Sequence, residues 1–139
     1  MQISSDNISA SVSASGLSRP ISLMINGTAC KMDDIRPDTT LLEVLRRQQG
    51  LVGSKEGCAE GDCGACTVML GRLRGSKLVY QPINACIFLL PMADKSVIRT
   101  VEGVAYGDGQ LHPVQQAMID HHGSQCGFCT PGFVMSLYG

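Results

Sequence analysis

The chain has 139 residues, 44% hydrophobic and 17% charged, with a formal net charge of −1 at pH 7. That length allows one or two small domains; no uninterrupted apolar run is long enough to cross a membrane as a helix, and no membrane partner is expected. The net charge favours no charged partner; without a Lys/Arg run, and with three Tyr, three Phe and no Trp, nucleic acid is not expected either.

Residues 1–19 hold seven serines and a single basic residue, Arg19, which predicts a disordered tail without the marks of a signal or transit peptide. From Pro20 the pattern turns regular. Ile21, Leu23 and Ile25 alternate with Ser22 and Met24, Asn26-Gly27 suits a type I′ turn, and residues 28–32 return as a strand. Cys30 sits in that return strand, where a small buried apolar role fits better than a ligand role. Thr40-Leu41-Leu42-Glu43 reads as a capping box. Leu41, Val44 and Leu45 then share one helical face, Arg46 and Arg47 complement the helix dipole, and Gly50 suits the exit.

The next stretch, Gly57-Cys58-Ala59-Glu60-Gly61-Asp62-Cys63-Gly64-Ala65-Cys66, carries three thiols at C-x4-C-x2-C spacing, and Cys86 follows in Asn84-Ala85-Cys86. This is the ligand spacing of plant-type 2Fe–2S ferredoxins, three thiolates from one loop and one from a distant segment. The glycines fit that reading, because amides turned toward a negatively charged cluster need left-handed or closely approaching backbone. A structural zinc site is the alternative, although zinc more often takes two C-x2-C pairs. Seven cysteines without a secretory signal place such chemistry in a reducing, cytoplasmic compartment.

Beyond Cys66 a strand over 67–70, a turn from Gly71 to Gly75, a strand over 78–80 and a closing strand over 96–101 are expected. The strand–strand–helix–loop order predicts an α+β fold, a β-grasp 2Fe–2S domain over residues 20–103. Arg72, Arg74 and Lys77 mark a solvated hairpin end. Gly103 to Gln110, with three glycines, divides this domain from a helical part over 104–139. Pro113 suits the first position of a helix stopped by Gly123, and Thr130-Pro131 the cap and start of a second. Between them lies Cys126-Gly127-Phe128-Cys129. It admits a redox pair, half a zinc site with His121 or His122, or half of a second iron–sulfur site.

These motifs, together with Leu111-His112-Pro113-Val114-Gln115 and Gly123-Ser124-Gln125-Cys126, stand in the order found in the molybdenum hydroxylases (the xanthine oxidase family), which the chain resembles over about residues 20–139. Glu60-Gly61-Asp62-Cys63 and residues 132–138 look most like the small subunit of a bacterial xanthine dehydrogenase. The resemblance implies that Cys58, Cys63, Cys66 and Cys86 ligate the first 2Fe–2S cluster. Cys126 and Cys129 would supply half the ligands of a second in a helical bundle, and Gln125 would contact the molybdopterin. It further implies a relay of electrons from a molybdenum cofactor to FAD and NAD during purine hydroxylation. The partners would be an FAD domain and a molybdenum-binding large subunit in a hetero-oligomer. A related aldehyde, nicotinate or carbon monoxide dehydrogenase subunit, or a free-standing ferredoxin carrier, are the alternatives. The family's Cys-Arg-Cys-Thr-Gly-Tyr-type segment is missing, so one complete cluster site and half of another are expected in a truncated bundle. Residues 104–139 would then be mobile or exposed, with Val114, Met118, Phe133, Val134 and Leu137 lacking a partner layer.

Overall fold

A computed structural model describes residues 19–139; the serine-rich tail, apart from Arg19, lies outside the described residues. Five strands form one mixed sheet: β1 Ile21–Ile25, β2 Thr28–Met32, β3 Thr67–Arg74, β4 Lys77–Asn84 and β5 Val97–Arg99, in the order β2-β1-β5-β3-β4. The two hairpins are antiparallel, and β5 enters between them, parallel to β1 and antiparallel to β3. Among the described residues no helix is long and apolar enough to cross a membrane.

The alternation in β1 sends Ile21, Leu23 and Ile25 inward, where they meet Val68, Leu70 and Ile98. Covering this face is a short helix, α1 Leu41–Glu43, which continues as a π turn over Val44–Gln48. Leu41, Val44 and Leu45 are wholly buried there. Each such aliphatic side chain contributes about 1.5–3 kcal/mol by leaving water. The cap is half of what the sequence predicts. Thr40 Oγ1 accepts the Glu43 N–H at 3.1 Å, while the Glu43 carboxylate pairs with Arg47. Gly50, at φ 68, takes the chain out of the helix.

Three expectations shift. The 71–75 turn shrinks to Gly75-Ser76, because β3 and β4 stay paired through Arg74 and Lys77; Pro82 is tolerated because β4 is an edge strand. Arg72 is held by the Met92 carbonyl rather than being free at the hairpin end. Cys30 is only half-buried, packed at the border of the core.

The C-terminal helices are α2 Pro113–Asp120 and α3 Thr130–Tyr138. His112 caps α2, its Nδ1 accepting the Val114 N–H while Gln115 Oε1 accepts the His112 N–H. Cys129, not Thr130, occupies the cap position of α3; the Thr130 hydroxyl instead bonds Ser124 Oγ at 2.7 Å. Helix α3 lies on the second face of the sheet, where Met135 packs with Met69 and Val104. Val134 and Met135 are therefore buried, and the exposed helix anticipated from the sequence is half right. Phe133 and Leu137 remain open, at 59% and 66% exposure.

Candidate metal centre

Between the helix and β3 the chain forms an irregular loop whose backbone turns left-handed at Ala59, Gly61 and Gly64. These reversals aim successive amides at one atom. The N–H groups of Cys63, Asp62 and Glu60 donate to Cys58 Sγ at 3.4, 3.3 and 3.5 Å. Donors of this kind favour the thiolate. The Cys63 amide first, then those of Glu60 and Asp62, hold Cys58 down to about 6. Cys86 behaves oppositely: burial first, then the neighbouring Cys66 thiol, push it up to about 11.

The four thiols come together as two pairs. Cys63 lies beside Cys58 and Cys66 beside Cys86, and Cys58 is close enough to act on Cys86 through its charge. Cys66 and Cys86 are buried, Cys58 is half-buried and Cys63 is exposed. Delivery of Cys86 depends on the start of α1. The Leu42 N–H donates to the Ala85 carbonyl at 3.0 Å and the Leu41 N–H to the Phe88 carbonyl at 2.7 Å. Gly57 leaves the space these sulfurs occupy; a Cβ there would lie 2.8 Å from Cys63 Sγ. Among the described residues, no three His, Cys, Asp or Glu side chains meet at one metal-ion position. Two thiol pairs suit a two-iron centre, in which each iron takes two protein sulfurs. The donor set and its inward amides thus fit a 2Fe–2S cluster.

The second cysteine pair is built differently. Cys126 and Cys129 are both exposed, and among the described residues no hydrogen bond reaches either sulfur. Gln125, His121 and His122 are exposed too. Yet the segment leans on the first loop. A Cβ on Gly57 would be 3.3 Å from the Phe128 ring, and one on Gly132 would be 2.3 Å from the Gly64 carbonyl oxygen. Cys63 and Cys129 line one shallow groove with Gly64, Gly132 and Phe133. Sequence reading gave no role to Gly132 or to the Asn84 side chain, which donates to the Gly61 carbonyl at 2.5 Å. An Asn two residues before a ligand was the available signal for the latter.

Two family models match: a 2Fe-2S iron-sulfur cluster binding domain over residues 23–90, and a 2Fe-2S binding domain over residues 100–139. Xanthine dehydrogenase/oxidase of Gallus gallus is 47% identical over 116 residues, 82% of this chain and 8% of that protein. The chain belongs to the molybdenum hydroxylase family, as its iron–sulfur part. Another family member, aldehyde oxidase 1 of Oryctolagus cuniculus, is 43% identical over 116 residues, again 82% of this chain and 9% of that protein. Among solved molybdenum hydroxylases, the aldehyde oxidoreductase of Desulfovibrio desulfuricans superposes with a TM-score of 0.69 at 41% identity, over 84% of this chain and 12% of that one. Quinoline 2-oxidoreductase of Pseudomonas putida gives 0.70 at 36% identity, over 84% of this chain and 66% of that one. The chain thus spans under a tenth of the length of these curated relatives.

Proposed function

We propose that Cys58, Cys63, Cys66 and Cys86 ligate one 2Fe–2S cluster and that the chain is the electron-relay module of a xanthine dehydrogenase. The observation that carries this is the set of three backbone amides converging on Cys58 Sγ beside a buried Cys66–Cys86 pair. A cluster held there supplies one-electron transfer. The chain's own part is to offset thiolate charge with fixed amides, to exclude water from Cys66 and Cys86, and to anchor the distant thiol on α1. The sheet order, with β5 between two hairpins, supports a β-grasp domain over 20–103. Residues 104–139 would be the first part of a helical 2Fe–2S-binding domain. In it Cys126 and Cys129 would give half a ligand set and Gln125 would face a molybdopterin.

Xanthine as the substrate of the complete enzyme rests on the Glu60-Gly61-Asp62-Cys63 and 132–138 motifs, because identities to xanthine and aldehyde enzymes nearly overlap. An FAD domain and a molybdenum-binding large subunit complete that proposal, in a cytoplasmic hetero-oligomer. A free-standing carrier fits less well, since α3 is seated directly on the cluster loop through Gly132. The deciding experiment is iron analysis and EPR on anaerobically purified protein. About two irons per chain and a rhombic signal in the reduced state are expected for one cluster. Cys63→Ser should abolish that signal and Cys30→Ser should leave it; the reverse pattern overturns the ligand assignment.

A further inference from the structure

Asn84 stands half-buried at the end of β4, two residues before Cys86. Its Nδ2 donates to the Gly61 carbonyl at 2.5 Å, across 23 residues of sequence. That carbonyl and the N–H of Asp62 belong to one planar trans peptide unit. The same N–H points at Cys58 Sγ, 3.3 Å away. The Asn84 amide and the Cys58 sulfur therefore hold opposite ends of the Gly61–Asp62 peptide.

The surroundings leave this peptide little freedom. Gly61 sits at φ 85, and a Cβ there would come within 2.6 Å of Ile87 Cδ1. Thr67 Oγ1 donates to the Gly64 carbonyl at 2.6 Å and lies 3.4 Å from Asn84 Oδ1. Because a carbonyl oxygen only accepts, the amide end of Asn84 that faces Gly61 must be its NH2.

We infer that Asn84 is a positioning residue for the cluster: it fixes the Gly61–Asp62 peptide so that the Asp62 N–H meets the Cys58 sulfur, and strengthens that donor by hydrogen-bonding the carbonyl at its other end. The inference rests on the four-thiolate reading above. Hydrogen bonds in a chain polarise one another, so a peptide bonded at its oxygen is a better donor at its nitrogen. Donors to cluster sulfurs stabilise the more negative, reduced state and raise the potential. Asn84 thereby lets the strand that delivers the fourth thiol also set the charge balance at the first.

The test is an EPR-monitored redox titration of the full chain carrying Asn84→Ala, with Gln81→Ala on the exposed side of β4 as control. At iron content equal to the parent protein, Asn84→Ala should lower the reduction equilibrium up to about tenfold, a negative shift of up to about 59 mV for a one-electron couple. The reduced-state g values should move as well. Asn84→Asp, which replaces the donor by a negative charge, should shift the potential further the same way, and Gln81→Ala should not shift it. An unchanged midpoint and unchanged g values in Asn84→Ala overturn the inference. If Asn84→Ala loses iron, Asn84→Ser is read by the same criteria. If both lose iron, an iron-free melting temperature equal to the parent's supports a role at the cluster, and a collapsed one makes Asn84 a folding residue and overturns it. Failure of the four-thiolate reading is seen separately, as absence of iron or signal in the parent protein.

Discussion

The two cysteine regions of this molecule share a C-x2-C step and a left-handed glycine, and they differ in almost everything around the sulfurs. At Cys58 three amides point inward, and two partner thiols are buried nearby. At Cys126 and Cys129 the sulfurs are exposed, and among the described residues no donor is aimed at them. Spacing brings thiols near one another. Readiness to hold a charged cluster comes from what the backbone and a distant segment contribute.

The largest effect that would break this comparison is loss of the visible and EPR signals. Cys63→Ser should remove them, whereas Cys126→Ser should leave them within error; equal loss in both would mean that the two regions form one site. Next comes Gly57→Ala. Its Cβ would press on Cys63 Sγ and Phe128, and iron content after anaerobic reconstitution should fall at least several-fold. Gly132→Ala should act on the contact between the regions instead. With a Cβ driven against the Gly64 carbonyl, overpacking costs about 1–3 kcal/mol. Hydrogen exchange in α3 should accelerate, while exchange in β1 and β5 stays slow.

A smaller, pH-dependent effect sharpens the contrast within the first region. In the iron-free chain, alkylation of Cys58 should rise as pH passes about 6, because its folded value is lowered and the thiolate is the reactive form. In urea that rise should move back to the ordinary thiol range near pH 8.5. Cys86, pushed up to about 11, should stay unreactive at pH values where Cys58 is fully modified. Peptide mapping of the alkylated chain reads both.

The smallest effect lies far from either region. Asp94 accepts the Ser22 N–H at 2.9 Å and pairs with Arg19, which hold its carboxyl below the usual range, the Ser22 bond first. A lowered folded value means that the stabilisation is full above the unfolded value of about 3.9 and fades as pH falls through the folded one. Asp94→Asn should slightly lower the melting temperature at pH 7, and the difference should vanish in strong acid. A difference that persists there would assign the effect to packing.

Much of this molecule was legible in its sequence because the signals were local. Alternation in Ile21, Leu23 and Ile25, the Asn26-Gly27 turn, Thr40 as a cap and the four-cysteine spacing each depend on neighbours within a few residues or on ligand chemistry alone. Tertiary structure decided the rest. Only the folded sheet shows that β5 inserts between the hairpins, so that β3 is paired along both edges, and that α3 then meets Met69 on the second face. Only it brings Gly132 onto Gly64 and the Asn84 amide onto Gly61, contacts between segments 68 and 23 residues apart. The sequence named the thiols; the fold decided which amides face them, because an amide's direction is set by backbone geometry that residue type leaves open.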